Sequence, residues 1–305
     1  MPTFGCPASC SNCGTLSGPR VQTTLALDKI LRAIQEAKEL GFEGVVFSGG
    51  EATLRWPDLL VGIAKATQLG MPTRLVTNAH WATSLTRARE HLRELIAVGL
   101  KEINYSTGDE HLRFIPLENV VQAIVAAVEM DLPVGVLIEL RKERSINKGS
   151  VLDHPAIASL APDRQKLLTV VDRPWMPLHL NGIEEYPEGM TVNSSNVASR
   201  PGCDEVLRLY TVQANGRIGC CCGIGLRLIP ALNVGVADGN DSLRRAVAEA
   251  ENDLLKRWIH FKGPEKILAW AATKDPSIQW ENMYAHQCQA CLRIYKDPVL
   301  SVTFL

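Results

Sequence analysis

Between Val21 and Val171 the hydrophobic positions alternate between two kinds of spacing. Leu27, Ile30, Leu31, Ile34, Ala37 and Leu40 recur at helical intervals, which predicts a helix over Leu25–Leu40 stopped by Gly41. Gly44–Phe47 is a short apolar run of the kind a buried parallel strand uses. The alternation then repeats. Helices are expected at Pro57–Leu69, Leu85–Val98 and Leu117–Met130, and strands at Thr73–Thr77, Glu102–Ser106 and Val134–Leu140. One more helix and strand are expected over Val151–Leu160 and Lys166–Val171. Strands alternating with helices of about 10–15 residues predict βαβ crossovers and a parallel sheet. With Met1–Gly5 as the stub of a sixth strand, the pattern predicts an α/β fold, a six-stranded partial barrel. In such folds the chemistry gathers at the carboxyl ends of the strands.

After Val171 the periodicity fades. Asp172–Pro201 holds Pro174, Pro177, Pro187 and Pro201 and reads as a linker or an irregular, substrate-facing lobe. Leu207–Val212 and Ile218–Cys221 flank Asn215-Gly216, a pair suited to a tight hairpin turn. Helices are expected at Ser242–Trp258 and Glu265–Thr273. The organisation expected is a barrel over 1–171, a linking lobe over 172–202 and a smaller unit over 203–305.

Charge and composition narrow the classes of function. The 305 residues carry 32 basic and 33 acidic side chains, and 46% are hydrophobic, which describes a globular protein rather than a disordered one. With no basic excess, a general nucleic-acid role is not expected. No run of about 18 apolar residues predicts a membrane span, and Met1–Cys6 lacks the basic and apolar regions of a secretory signal. A reducing, cytoplasmic location is therefore expected, where nine cysteines would not form a disulfide framework. These cysteines are grouped: Cys6, Cys10 and Cys13; then Cys203, Cys220, Cys221 and Cys222; then Cys288 and Cys291.

Cys6-Pro-Ala-Ser-Cys10-Ser-Asn-Cys13 has C-x3-C-x2-C spacing. Three thiolates so close in sequence can bind three irons of a cubane and leave the fourth iron open, whereas closed clusters take four thiolates. A structural zinc or free thiols is the alternative. In Ser48-Gly49-Gly50-Glu51, after the second expected strand, glycines allow close approach of a ligand and a carboxylate suits an ammonium group.

On these motifs residues 1–171 resemble the radical SAM superfamily, whose signature is this cysteine spacing after the first barrel strand. The resemblance implies a [4Fe–4S] cluster on Cys6, Cys10 and Cys13 with S-adenosylmethionine (SAM) bound beside it. It implies further that Ser48, Gly49, Gly50 and Glu51 hold the SAM amino group. Asn78, Ser106, Asp109, Glu139 and Arg141 lie at the ends of the following strands. Among them Ser106, then Asp109, is the expected ribose contact, and Arg141 would suit the methionyl carboxylate. Helix capping by Ser106 or Asp109 and a solvated charge run at Arg141–Arg144 are the alternatives.

Cys203, twelve residues, Gly216, four residues and Cys221 resemble the opening of the twitch and SPASM extensions of that superfamily. Cys288 and Cys291 would complete the ligands of an auxiliary [4Fe–4S] cluster, with zinc on the same thiolates as the alternative. Cys220 and Cys222 are left over. Either they pack as small apolar residues, or one donates a hydrogen atom, as the resemblance to short peptide epimerases implies; Cys222 is the first choice and Cys220 the competitor. The expected function is peptide modification with Cα epimerisation as the best reading. Peptide crosslinking or thioether formation, or dehydrogenation or epimerisation of a small natural product, is the alternative. A non-enzymatic Fe–S or zinc scaffold is not expected, since Gly49-Gly50-Glu51 would then have no purpose, and a flavodoxin- or ferredoxin-type reductant is the expected partner.

Overall fold

A computed structural model describes residues 1–305 apart from Asn181, Ile183, Phe304 and Leu305, with only the backbone of 301–303. The apolar rows of the sequence become the inner faces of helices: α1 (Leu27–Glu39) turns Ile30 and Ile34, one helical turn apart, into the core. It leads into β1 (Val45–Phe47). α2 (Trp56–Gln68), β2 (Thr73–Thr77), α3 (Leu85–Ala97) and β3 (Glu102–Thr107) continue the alternation. A single turn, α4 (Asp109–Leu112), precedes α5 (Leu117–Glu129) and β4 (Val134–Leu140). The helix expected over Val151–Leu160 is instead three short pieces, α6 (Lys148–Leu152), α7 (Pro155–Ala158) and α8 (Pro162–Gln165). Pro155 and Pro162 each open a new segment, because proline cannot donate within a continuous helix. β5 (Leu168–Pro174) follows.

These five strands are all parallel and pair in chain order, with Val45 beside Thr73, Leu75 beside Ile103, Ile103 beside Val134 and Val134 beside Leu168. Sequential order with helices between the strands makes a barrel wall rather than a doubly wound sheet, and five strands leave that barrel open. Met1–Gly5 does not become a sixth full strand; it forms only the bridges Thr3 to Thr24 and Gly5 to Gly18. It nonetheless runs beside the end of β1, because Gly50 N–H donates to Thr3 O (2.9 Å) and Glu51 N–H to Gly5 O (2.8 Å). On β4, Val134, Val136 and Ile138 face the helices and are buried, while Gly135 and Leu137 face the open interior and are half-buried. The helix-facing layer, including Leu59, Ile63, Leu92, Ile103 and Ile124, forms the larger core. Each such side chain contributes about 1.5–3 kcal/mol by leaving water.

Beyond the barrel, β6 (Thr211–Val212) and β7 (Arg217–Gly219) form the expected hairpin, shorter than the apolar runs suggest. Gly216 sits in the turn at φ +82°, where a side chain is strained. After α9 (Gly225–Leu228), β8 (Asn233–Val236) adds a third antiparallel strand. The single helix expected over Ser242–Trp258 is two, α10 (Ser242–Glu251) and α11 (Leu254–Lys262). Asp253 breaks it by accepting a hydrogen bond from Lys256 N–H (2.9 Å) as an N-cap. α12 (Pro264–Lys274), α13 (Gln287–Lys296) and α14 (Pro298–Thr303) complete the chain. A second core gathers Val206, Ile224, Ile259, Ile267, Leu268 and Ile294.

The proline-rich stretch is strapped to both parts. Lys142 N–H donates to Glu185 O (2.7 Å), and Leu178 N–H to Asn12 Oδ1 (3.3 Å). Val192 exchanges backbone hydrogen bonds with Asn282 and Tyr284, and Gln289 on α13 donates to the Tyr186 hydroxyl (3.1 Å). Among the described residues no helix is long and apolar enough to cross a membrane.

Candidate functional site

The Gly49-Gly50 turn exists because the amino-terminal stretch lies directly against it. Gly49 has φ +150°, and a Cβ there would come within 2.5 Å of Thr3 O. At Gly50 a Cβ would overlap the carbonyls of Phe4 and Gly5. Only glycine allows this approach, and it places the Cys6–Cys13 loop beside the carboxyl ends of β1 and β2.

Glu51 then locks the junction. Its buried carboxylate accepts from Thr53 N–H (3.1 Å), Thr53 Oγ1 (2.7 Å), Thr77 Oγ1 (2.9 Å) and Asn78 N–H (2.8 Å). Oε1 takes three of these and Oε2 one, so a carboxylate with about four acceptor positions has Oε2 still open to a further donor. Asn78 in turn donates from Nδ2 to Cys6 Sγ (3.5 Å).

The cysteine loop is held from the next strand end too. Ser11 N–H donates to Glu110 Oε2 (3.0 Å), and the Cys10 thiol lies 3.9 Å from Glu110 O. Desolvation, then the neighbouring Glu51 and Cys13 charges, push the Cys6 thiol up to about 11. Desolvation and the Cys13 charge push Cys10 up to about 12. Without a metal these two thiols stay protonated at neutral pH. Among the described residues no three Cys, His, Asp or Glu side chains converge on one ion position.

Other residues singled out from the sequence have structural partners. Asp109 accepts from Ser145 N–H (2.8 Å) and Ile146 N–H (2.9 Å), fixing the loop after β4. Glu139 accepts from Glu110 N–H (2.8 Å), His111 N–H (3.1 Å) and the His111 ring, and so caps α4. Arg141 pairs with Glu110 (3.5 Å) and Glu184 (3.7 Å) and lies over the Trp175 ring. Ser48 and Ser106 differ: both are half-buried, and among the described residues their hydroxyls have no hydrogen-bond partner. Trp175 Nε1 and Thr107 Oγ1 are buried near these strand ends without a hydrogen-bond partner, as is Arg141 Nε, which faces the Glu184 carboxylate at 3.7 Å.

The second cysteine group assembles in the other core. A pocket partly open to solvent is lined by Cys203, Cys221, Cys288 and Cys291. Cys288 and Cys291 are one turn apart on α13, hence on one face. His286 caps that helix by accepting from Cys288 N–H through Nδ1 (3.2 Å). Burial, then the Arg173 charge, lowers His286 to about 4, which keeps Nδ1 an acceptor. Cys220 and Cys222 stand outside this pocket. Cys220 is fully buried and donates to Leu232 O (3.5 Å), whereas Cys222 is exposed and donates to Glu205 Oε2 (2.9 Å). Desolvation and the Glu205 carboxylate raise the Cys222 pKa, so it too remains a thiol.

One contact had no sequence signal. Arg227 on α9 donates to Thr15 O (2.9 Å), and Ile224 is packed against Gly14. A lone arginine in Gly223-Ile-Gly-Leu-Arg227-Leu looks like ordinary helix surface.

Residues 1–140 match the family model described as Radical SAM superfamily. Over 105 residues the chain is 34% identical to a protein named PqqA peptide cyclase from Rhodopseudomonas palustris. A protein of the same name from Bradyrhizobium diazoefficiens matches at 34% identity over 105 residues. In each case the alignment covers 34% of this chain and 26% of the relative, so the chain spans about a quarter of the length of these curated relatives.

Proposed function

Taking as premise that residues 1–140 belong to the radical SAM superfamily, we propose that this chain is a radical SAM enzyme that modifies a peptide. The observation that carries the reading is the clasp between the two motifs. The Cys6–Cys13 loop is tied to the Gly49-Gly50-Glu51 turn through Gly50 N–H to Thr3 O, Glu51 N–H to Gly5 O and Asn78 to Cys6.

The residues present fit the cofactors. Three thiols on one short loop with C-x3-C-x2-C spacing suit a cluster taking one thiolate per iron, with Cys6, Cys10 and Cys13 as its ligands. Glu51 Oε2 and the Ser48 and Ser106 hydroxyls, at the ends of successive strands, suit the ammonium and hydroxyl groups of SAM, and Arg141, after β4, suits its carboxylate. When bound, the cluster and SAM supply a 5′-deoxyadenosyl radical that removes a hydrogen atom from substrate. Glu51, Asp109 and Glu139 act by holding strand ends and loops in register, and so position the ligand-facing groups.

Cys203, Cys221, Cys288 and Cys291 are the ligands of an auxiliary [4Fe–4S] cluster in this reading, in a twitch- or SPASM-like part over 203–305. Barrel and extension are joined by 172–202. Cα epimerisation is the reading that Cys222 supports, an exposed thiol outside the ligand pocket that can return a hydrogen atom. A second reading, crosslinking within a peptide, is favoured by the relatives named PqqA peptide cyclase. A low-potential flavodoxin- or ferredoxin-type protein supplies the electron.

Anaerobically reconstituted protein should hold about eight irons per chain, two four-iron clusters, and release 5′-deoxyadenosine from SAM under reduction. Absence of 5′-deoxyadenosine overturns the radical SAM reading, and about four irons removes the auxiliary cluster. Epimerisation in D2O adds one deuterium at Cα without net oxidation, whereas crosslinking removes two hydrogens from the peptide.

A further inference from the structure

The stretch from Cys221 to Arg227 touches both sulfur sites. Cys221 lines the second pocket, and Gly223 lies so close to Cys288 that a Cβ would sit 2.7 Å from its sulfur. Ile224 rests on Gly14, next to Cys13, and Arg227 reaches Thr15. The Arg227 guanidinium stacks 3.7 Å above the centroid of the buried Phe4 ring. It is half-buried, and among the described residues no carboxylate forms an ion pair with it. An arginine stays charged even when partly desolvated, and a cation so placed needs compensating negative charge. Cys13, two residues before the Thr15 carbonyl that the guanidinium holds, would carry such charge as a thiolate ligand.

We propose that Arg227 is a positioning residue of the first cysteine site, a cation from the carboxyl-terminal part that fixes the Cys13–Thr15 turn and makes iron held there easier to reduce. This rests on the reading of Cys6, Cys10 and Cys13 as cluster ligands. A cluster held by three thiolates gains one negative charge on reduction. A fixed positive charge nearby stabilises the reduced form more than the oxidised one, and net charge and hydrogen bonding around the sulfurs set cluster potentials. Because the cation is carried by the segment that also contributes Cys221, disturbance at the second pocket reaches the first site through it.

The test is a redox titration of the reconstituted holoprotein, following by electron paramagnetic resonance the signal that changes when SAM is added. Arg227→Gln keeps an N–H for Thr15 O but removes the charge. Its reduced-to-oxidised ratio at fixed potential should fall about tenfold, a shift of about 59 mV for a one-electron couple, with iron content unchanged. Arg227→Lys should restore most of the midpoint. Arg227→Met, which keeps apolar contact with Phe4, is the second neutral variant, and a wild-type midpoint in either neutral variant overturns the proposal. A wild-type protein with no SAM-responsive iron signal would instead overturn the assignment of the cysteine loop.

Discussion

The Glu51 carboxylate receives the Asn78 backbone N–H at 2.8 Å, joining the turn after β1 to the end of β2. The motif's acid is therefore a structural tie, whatever else it holds. Glu51→Gln replaces one acceptor oxygen by an amide that faces donors from Thr53, Thr77 or Asn78. The expected cost is about 1–3 kcal/mol, read as a lower urea midpoint of the metal-free protein. SAM affinity, measured by calorimetry on the reconstituted variant, should fall with it.

Gly50→Ala tests the close approach of the amino-terminal stretch. Its Cβ would overlap the Phe4 and Gly5 carbonyls, so the strand stub carrying Cys6 must move away. Stability should drop by about 1–3 kcal/mol, the usual cost of overpacking, and iron bound at the first site should fall. Retention of full iron and wild-type stability would show that the stub is free to shift.

Cys220 and Cys222 separate by burial. Cys220→Ala removes a fully buried sulfur and should destabilise the chain by about 1 kcal/mol while leaving turnover largely intact. Cys222→Ala changes an exposed side chain and should alter stability by less than about 0.5 kcal/mol while abolishing epimerised product. Chiral analysis of the hydrolysed peptide distinguishes the two. Deuterium still delivered to Cα by Cys222→Ala would contradict its role as donor.

Acid should loosen α13. His286 takes a proton at about 4 in the folded chain, against 6.5 for an unperturbed ring. Between those values the unfolded chain binds the extra proton, so this contribution to stability is complete above pH 6.5 and is lost as pH falls towards 4. Protonation also removes the acceptor for Cys288 N–H. The urea midpoint of the metal-free protein should decline across this window. His286→Asn, which keeps a capping oxygen, should decline less.

The barrel was legible where one periodicity ran without interruption. β2 and β4 begin and end where the apolar runs do, and α3 and α5 differ from expectation by one residue at their ends. Local competition decided the rest. Asn233–Val236 is too short and too mixed to show a strand period and becomes β8 only by pairing with β7. Asp253 reads as one more polar helix position until its carboxylate caps Lys256. Asp109 and Glu139 stand at strand ends, as ligand contacts would, yet their acceptors are satisfied by N–H groups about thirty residues away, a distance no local pattern reports. Ser48 and Ser106 stand where their positions after the strands put them, half-buried and without a hydrogen-bond partner among the described residues. Arg227 was not legible, since its importance lies wholly in what it touches.

The strap between barrel and carboxyl-terminal part limits how such a protein can be rearranged. Residues 178, 185, 186 and 192 each bond to a different partner, two in the barrel half and two beyond it. A chimera that joined this barrel to another extension would have to change both sets of bonds at once, or carry the strap across together with the extension and rebuild its seats at Asn12 and Lys142. Recombination inside this segment should therefore be far less tolerated than its irregular, proline-rich composition suggests, and the two halves are expected to have diverged as a single unit.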